Sequence, residues 1–130
     1  MRALLDTSVL LAGHVPPLEG DLAISAASLA ELHFGVLVTR DAGVRAERLR
    51  RLSLIERNFD SLPIDDAVAR GYGRLAAKVA HGGRQPRGRV MDLLIAATAL
   101  AHDARLYTCS PDDLAGLDDV LEIVTVPVAR

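Results

Sequence analysis

The sequence is poor in the residues that build disulfide-rich, zinc-binding and aromatic-rich proteins. It has one cysteine in 130 residues, Cys109, which excludes an internal disulfide and any zinc site made of several thiolates. Aromatic residues make up 3 % of the chain although 50 % of its residues are hydrophobic, so Leu, Ala, Val and Ile must form the core. One domain over residues 1–130, with helices packed on a sheet, is therefore expected. We expect Cys109 to be a buried strand residue without a catalytic role.

Long apolar segments are also absent. No stretch reaches the roughly 18 apolar residues that a membrane-spanning helix needs. Met1 and Arg2 are followed by an acid as early as Asp6, which is unlike an export signal. These observations favour a protein of the cytoplasm with no membrane partner.

The overall charge gives no argument for nucleic-acid binding, because 15 basic and 17 acidic residues leave a formal charge of −2. The distribution of the basic residues is more informative. Only Lys78 is a lysine, and many of the arginines fall in two groups. These groups are Arg40, Arg45, Arg48, Arg50, Arg51 and Arg57, and then Arg84, Arg87 and Arg89. An arginine-rich coding composition and a phosphate-binding role both explain them at this point.

Short apolar runs alternate with helical segments along the chain. Strands are predicted at residues 3–5, 22–24, 106–109 and 121–126, and helices at 9–12, 27–38, 43–59, 65–81 and 90–102. Residues 62–64 are predicted to form an extended connection, and the glycines and proline between 82 and 88 a mobile loop. The alternation predicts an α/β fold with a mostly parallel sheet and right-handed crossovers.

Two of the predicted helices differ in their apolar content. Nearly every residue from Val90 to His102 is apolar, which predicts a central helix buried on most of its circumference. The helix over residues 43–59 is covered by arginines and is therefore expected at the surface. Its narrow apolar stripe consists of Val44, Leu49, Leu52 and Ile55.

Several acids stand where an ionised carboxylate is costly. Asp6 follows the first predicted strand, Asp92 begins the buried helix, and Glu31 has apolar neighbours and no cation at helical spacing. A shared divalent cation would stabilise all of them. Local explanations remain open, because Asp6 can cap a helix, Ser28 and Glu31 match a capping box, and Asp92 can interact with a helix dipole.

These acids lie in four segments that span almost the whole chain. The segments are LLDTSVL at 4–10, ISAASLAELHFG at 24–35, DLLIAATA at 92–99 and LYTCSPDDL at 106–114. In this order they resemble the PIN-domain ribonucleases and, within that family, the VapC-type toxins. The resemblance implies a PIN-like three-layer α/β/α fold, a small VapB-type antitoxin as partner, and a homodimer.

In the family pattern, Asp6, Glu31 and Asp92 match three metal-binding acids. The resemblance therefore implies a site for Mg²⁺ or Mn²⁺, which prefer hard oxygen ligands. Such an ion lowers the pKa of a bound water that attacks the RNA phosphodiester bond, and a second ion would stabilise the leaving oxygen. The expected function is that of an endoribonuclease toxin of a type II toxin–antitoxin pair that inhibits translation or growth. The alternative is a PIN fold with weak or no activity that only binds protein or RNA.

The fourth acidic region departs from the family pattern Thr-x-Asn-x-x-Asp-Phe. Asp113 stands at the position of the acid, Ser110 replaces the asparagine, and Leu114 replaces the aromatic residue. Asp112 is the alternative fourth acid. Both aspartates are also ordinary turn residues.

Other residues near these motifs are expected to assist. The hydroxyls expected around the metal are those of Thr7, Ser8 and Ser110, although capping also explains the first two. Arg84, Arg87 and Arg89 precede Asp92 in the mobile loop, where they either reach RNA phosphates or remain solvated. The helix over residues 43–59 is predicted to lie beside a groove that binds the antitoxin, RNA or both.

Two unrelated α/β classes fit less well. A receiver domain needs an acid pair in its first loop and a lysine after a late strand, whereas Asp6 has no acidic neighbour and Lys78 falls in a helix. A haloacid-dehalogenase-like phosphatase needs a second acid two residues after the first, where Ser8 stands. The four histidines show no metal-binding spacing; they are His14, His33, His81 and His102.

Overall fold

A computed structural model describes residues 1–128 of the chain. Its sheet has five strands, all parallel, in the order β3-β2-β1-β4-β5. The strands are β1 (Arg2–Leu5), β2 (Asp21–Ser25), β3 (Asp60–Leu62), β4 (Arg105–Thr108) and β5 (Ile123–Thr125). In the register of the sheet, Leu5 pairs with Ile24 on one side and with Tyr107 on the other. The ends of β1, β2 and β4 therefore meet at one edge.

Helices cover both faces of this sheet. They are α1 (Thr7–Leu11), α2 (Ala26–Val38), α3 (Ala42–Asn58), α4 (Asp66–His81) and α5 (Val90–Ala101). Two short 3₁₀ helices span Pro86–Arg89 and Pro111–Leu114. One apolar core contains the buried faces of α4 and α5, and a second contains those of α1 and α3, with residues of α2 in both. This arrangement confirms the predicted α/β class and the three-layer α/β/α architecture.

Helix α5 is as deeply buried as its composition predicts. Its buried residues are Leu93, Ile95, Ala96, Ala97, Thr98 and Ala99. Helix α4 can approach it closely because Gly71 faces the backbone of Ala97, where an added Cβ would lie 3.4 Å from the Ala97 carbonyl oxygen. Tight packing fixes the position of α5 and, with it, that of Asp92 in its first turn.

The predicted apolar stripe of α3 is half wrong. Leu52 and Ile55 are buried, whereas Val44 and Leu49 are 40 % and 51 % exposed. Only the second half of α3 packs on the core, so its first turns extend beyond it. No helix within residues 1–128 combines the length and the apolar character required to cross a membrane.

Smaller differences concern the ends and connections. Residues 60–62 pair with β2 as an edge strand, where only an extended connection was predicted. The last strand is confined to residues 123–125 because it pairs with β4 alone. The predicted loop before α5 ends in a 3₁₀ helix, which Pro86 can begin because the first position of a helix needs no N–H donor.

Candidate active site

Asp6 ends strand β1 and caps helix α1. Its Oδ1 accepts a hydrogen bond from the backbone N–H of Val9 at 3.2 Å and a short one from the hydroxyl of Ser8. Its own N–H donates to the carbonyl of Tyr107 at 3.0 Å, which fastens the turn to β4. The capping role considered for Asp6 is therefore real. Among the described residues, the Oδ2 atom accepts no hydrogen bond.

Glu31 is held by a hydroxyl from another helix. The hydroxyl of Thr7 donates to its Oε1 at 2.6 Å and lies 3.1 Å from Oγ of Ser28, which is fully buried. The N-cap of α2 is Ser25, whose Oγ accepts the N–H of Ala27 at 3.0 Å. The capping-box interpretation of Ser28 and Glu31 is therefore wrong, because both lie inside the helix. Their spacing of three instead places them on one face.

Ser8 connects the turn after β1 to the turn after β4. Its Oγ accepts the backbone N–H of Cys109 at 2.9 Å and lies 3.4 Å from Oγ1 of the buried Thr108. Thr108 in turn accepts the N–H of Ser110 at 2.9 Å. Cys109 itself lies just beyond β4 and is partly exposed, so its predicted place inside a buried strand is wrong by one residue. Partial burial raises the pKa of its thiol.

Asp92 lies close enough to the other three predicted acids for their charges to act on it. Partial burial, and then the charges of Asp113, Glu31 and Asp6, raise the pKa of Asp92 to about 6. Burial and like charges therefore outweigh the effect of a helix N-terminus, which would lower this pKa, and the helix-dipole interpretation of Asp92 stays a prediction. Asp113 acts on Asp92, whereas Asp112 is not among the charges that do. Asp113 therefore remains the candidate for the fourth acid, with Asp112 as the alternative.

The arginines before α5 occupy different environments. Nη1 of Arg89 donates to the carbonyl of Asp113 at 2.7 Å, and Nη1 of Arg84 lies 3.4 Å from the carbonyl of Ala115. Arg87 is exposed in the 3₁₀ helix between them. Arg89 is also the one cation that lowers the pKa of Asp92.

The donor set suits a hard divalent cation. Three other carboxylates raise the pKa of Asp92, and one arginine lowers it. Negative charge therefore dominates the site. Across residues 1–128, however, no three His, Cys, Asp or Glu side chains form a ready ligand cluster. The residue types fit Mg²⁺ or Mn²⁺ by their chemistry, because both ions prefer carboxylate oxygens as ligands.

A groove of about 860 Å³ opens from this site between α1, α2 and α3. Thr7 and Glu31 line its inner end, and Leu32, Gly35 and Val44 are among its other lining residues. Two arginines of α3 cross it to bind backbone carbonyls. Arg48 reaches the carbonyl of Gly35 at 2.7 Å, and Arg51 reaches that of Leu11 at 3.0 Å. The predicted groove beside α3 is therefore present.

Comparison with known proteins identifies the family. The model of the PIN domain matches residues 3–115. The chain belongs to the PIN domain family. This PIN chain is 36 % identical over 107 residues to ribonuclease VapC5 of Mycobacterium tuberculosis, covering 82 % of this chain and 76 % of that protein. It is 34 % identical over 131 residues to ribonuclease VapC4 of the same organism, with 96 % and 97 % covered.

A solved structure supports the same family assignment. The crystal structure of VapBC-5, a toxin–antitoxin system from Mycobacterium tuberculosis, contains a chain with a TM-score of 0.82 to this PIN domain. The two chains are 36 % identical, and the superposition covers 98 % of each. The sequence resemblance to VapC-type PIN domains is thus confirmed.

Sequence reasoning overlooked two hydroxyls that the structure places in the site. Ser28 and Thr108 are fully buried and each contacts a predicted hydroxyl, Thr7 and Ser8 respectively. The i, i+3 spacing of Ser28 and Glu31 was a usable signal but was explained as capping. Ser110 donates its backbone N–H to the hydroxyl of Thr108. Among the described residues, its own hydroxyl makes no hydrogen bond.

Proposed function

We propose that this PIN domain, as one unit over residues 1–130, is a divalent-metal-dependent endoribonuclease. The observation that supports this most is the partly buried Asp92, whose pKa is raised by burial and then by the charges of Asp113, Glu31 and Asp6. Relatives that are 36 % identical to it over 100 to 107 aligned residues are named ribonucleases, which points to the same reaction.

The four carboxylates Asp6, Glu31, Asp92 and Asp113 would hold Mg²⁺ or Mn²⁺. When bound, the ion supplies water activation and neutralises charge on the scissile phosphate. The chain's own residues prepare this site, since Thr7 fixes one Glu31 oxygen and Ser8 fixes one Asp6 oxygen. The remaining oxygen of each carboxylate is left for the cation.

RNA would approach along the loop before α5. The exposed Arg87 and the neighbouring Arg84 are suited to contact phosphates, because arginine donates paired hydrogen bonds to phosphate oxygens. The guanidinium of Arg89 is already engaged with the backbone of Asp113 and is less available.

The partner we propose is a small VapB-type antitoxin bound in the groove between α2 and α3. Thr7 and Glu31 line this groove, so a segment within it would lie beside Glu31, one of the four proposed carboxylates. The groove is lined in part by apolar side chains, including Leu11, Leu32 and the partly exposed Val44. The chain similar in structure comes from a toxin–antitoxin system. We further propose that the chain acts as a toxin in the cytoplasm and forms a homodimer.

Cleavage of a defined RNA by purified protein tests the enzymatic part. With Mn²⁺ or Mg²⁺ we expect endonucleolytic fragments, and with excess EDTA none. The Asp92→Asn variant, purified identically, controls for contaminating ribonucleases and should be inactive. Equal cleavage by wild type in EDTA would refute metal dependence.

The inactive-PIN alternative predicts another result. In that case neither ion supports cleavage of any RNA in a cellular extract, while RNA or antitoxin still binds. Mapping the 5′ ends of RNA fragments after controlled expression would identify the substrate and decide between the two functions.

A further inference from the structure

Arg89 joins the two segments that carry the last two acids. It is the N-cap residue of α5, three residues before Asp92, and is partly buried. Its Nη1 donates to the carbonyl of Asp113 at 2.7 Å and lies 3.4 Å from that of Asp112. Both carbonyls belong to the 3₁₀ helix Pro111–Leu114. One guanidinium therefore connects the start of α5 to the turn that bears Asp113.

This turn has few other bonds to the remainder of the chain. Asp113 is exposed, and its N–H bonds locally to the carbonyl of Ser110 at 3.1 Å. Leu114 is buried and anchors the end of the 3₁₀ helix. The carboxylates of Asp113 and Asp92 repel each other, which favours movement of the turn away from α5. A cation bonded to the turn opposes this movement.

We propose that Arg89 is a positioning residue for the metal site, which holds the Asp113 turn against α5. The inference rests on the proposed metal-dependent function. Arg89 acts through Asp113 and does not touch the ion or the RNA. Its positive charge beside Asp92 and Asp113 also reduces the repulsion between them.

A phosphate contact is the competing role for Arg89, and the two roles affect different constants. A positioning residue affects Mn²⁺ affinity and leaves the KM for RNA at saturating Mn²⁺ unchanged. A phosphate contact affects the KM and lowers the salt dependence of RNA binding by roughly 0.7 in slope, with Mn²⁺ affinity unchanged.

The first experiment compares Arg89→Gln, Arg89→Lys and Arg87→Gln in the full chain. Calorimetric titration with Mn²⁺ should show affinity about tenfold lower in Arg89→Gln, partly restored in Arg89→Lys and unchanged in Arg87→Gln. In the Asp113→Asn background, Arg89→Gln should weaken Mn²⁺ binding no further, because Arg89 acts through Asp113. Wild-type Mn²⁺ affinity in Arg89→Gln together with a raised KM would overturn the proposal.

A second readout does not depend on metal. Hydrogen exchange of the Asp113 and Ala115 amides in EDTA should be faster in Arg89→Gln than in wild type and unchanged in Arg87→Gln. Equal exchange in wild type and Arg89→Gln would also overturn the proposal. A wild-type chain that binds no Mn²⁺ would refute the proposed metal site. The exchange result would still test whether Arg89 stabilises the Asp113 turn.

Discussion

Hydroxyl groups orient the two carboxylates that lie nearest the groove and the sheet edge. Thr7 bonds to Glu31 across two helices, and Ser8 bonds to Asp6 within one turn. Neither carboxylate has an arginine or lysine in ion-pair contact among residues 1–128. A hydroxyl directs a carboxylate without cancelling its charge, so both acids keep full attraction for a cation.

We therefore expect Mn²⁺ affinity to depend on the hydroxyl of the Thr7 side chain more than on the volume of that side chain. Thr7→Val keeps the shape and removes the donor to Glu31, so Mn²⁺ affinity should fall about tenfold or more. Thr7→Ser should retain most of it. Calorimetric titration measures both, and a Thr7→Val protein with wild-type affinity would exclude this role.

Asp92 makes the metal-free protein sensitive to pH. Its pKa is about 6 in the folded state and near the usual value of 3.8 in the unfolded chain. The folded state therefore binds more protons between these values, and the contribution of Asp92 to stability is lost as the pH rises from about 4 to 6. Above pH 6 its charge destabilises the fold.

Replacing this carboxylate should stabilise the metal-free fold. In EDTA at pH 7, Asp92→Asn should unfold with a free energy about 1 kcal/mol higher than wild type, after allowance for the solvent that reaches this half-buried group. The difference should vanish towards pH 4. Urea denaturation at both pH values measures it, with Asp112→Asn as the matched control. A less stable Asp92→Asn at pH 7 would contradict the repulsion argument.

At the scale of residues, sequence reasoning predicted the acids better than their partners. Asp6, Glu31 and Asp92 could be proposed because they stand at strand ends or in apolar surroundings, where a free charge is costly. Ser28 and Thr108 could not be found in this way, because a buried hydroxyl satisfied by one hydrogen bond costs little. Their role depends on contacts between residues up to 100 positions apart.

Among the elements, α3 differs most from its prediction. Its arginines predict a surface helix beside a groove, and Arg48 and Arg51 do line the groove, but they bond to carbonyls of α2 and α1, which the sequence does not predict. Val44 lines this groove and so is exposed, although it continues the apolar stripe. Periodicity cannot distinguish a residue that faces the core from one that faces an empty groove. By contrast, α5 was predictable because it is apolar on almost every side.

Filling the groove should block the antitoxin. Gly35 lies in α2 on the groove wall, and a Cβ added there meets no atom within 4 Å, so the backbone leaves room for a side chain that starts there and Gly35→Trp would reduce the space in the groove. The test uses the VapB-type antitoxin that neutralises the wild-type chain. We expect the variant to bind this antitoxin at least about 30-fold more weakly than wild type does.

The matched control is Gly73→Trp, an equally unobstructed glycine of α4 outside the groove lining. It should bind the antitoxin as wild type does. Fluorescence titration measures both affinities. Antitoxin binding by Gly35→Trp at wild-type strength would place the partner elsewhere on the chain.

At the scale of the whole molecule, the site exists only because the sheet brings distant segments together. Asp6 follows β1, Glu31 lies in α2 after β2, and Asp113 follows β4. The strand order places β1 between β2 and β4, so all three face one edge. Local pattern predicted the alternation of strands and helices, but the order across the sheet depends on tertiary packing. The family resemblance supplied the remaining information about the fold.

Such a site should couple metal binding to overall stability. A ligand present at a hundredfold excess over its Kd, and bound only by the folded state, adds about 2.7 kcal/mol. For a domain of this size the melting temperature should rise by about 10 °C in Mn²⁺. Asp92→Asn should lose most of this rise. An undiminished rise in Asp92→Asn, measured by thermal melts with and without Mn²⁺, would remove Asp92 from the metal site.

The central position of β1 has a consequence for synthesis on the ribosome. One edge of β1 pairs with residues 105–107, so it remains open until more than a hundred residues have been translated. At about 5–20 residues per second this takes roughly 5–20 seconds. During that time the nascent chain also lacks Asp113 and the turn that carries it. If Asp113 is part of the site as proposed, a chain interrupted before residue 113 should have no nuclease activity, so activity should arise only at the end of translation.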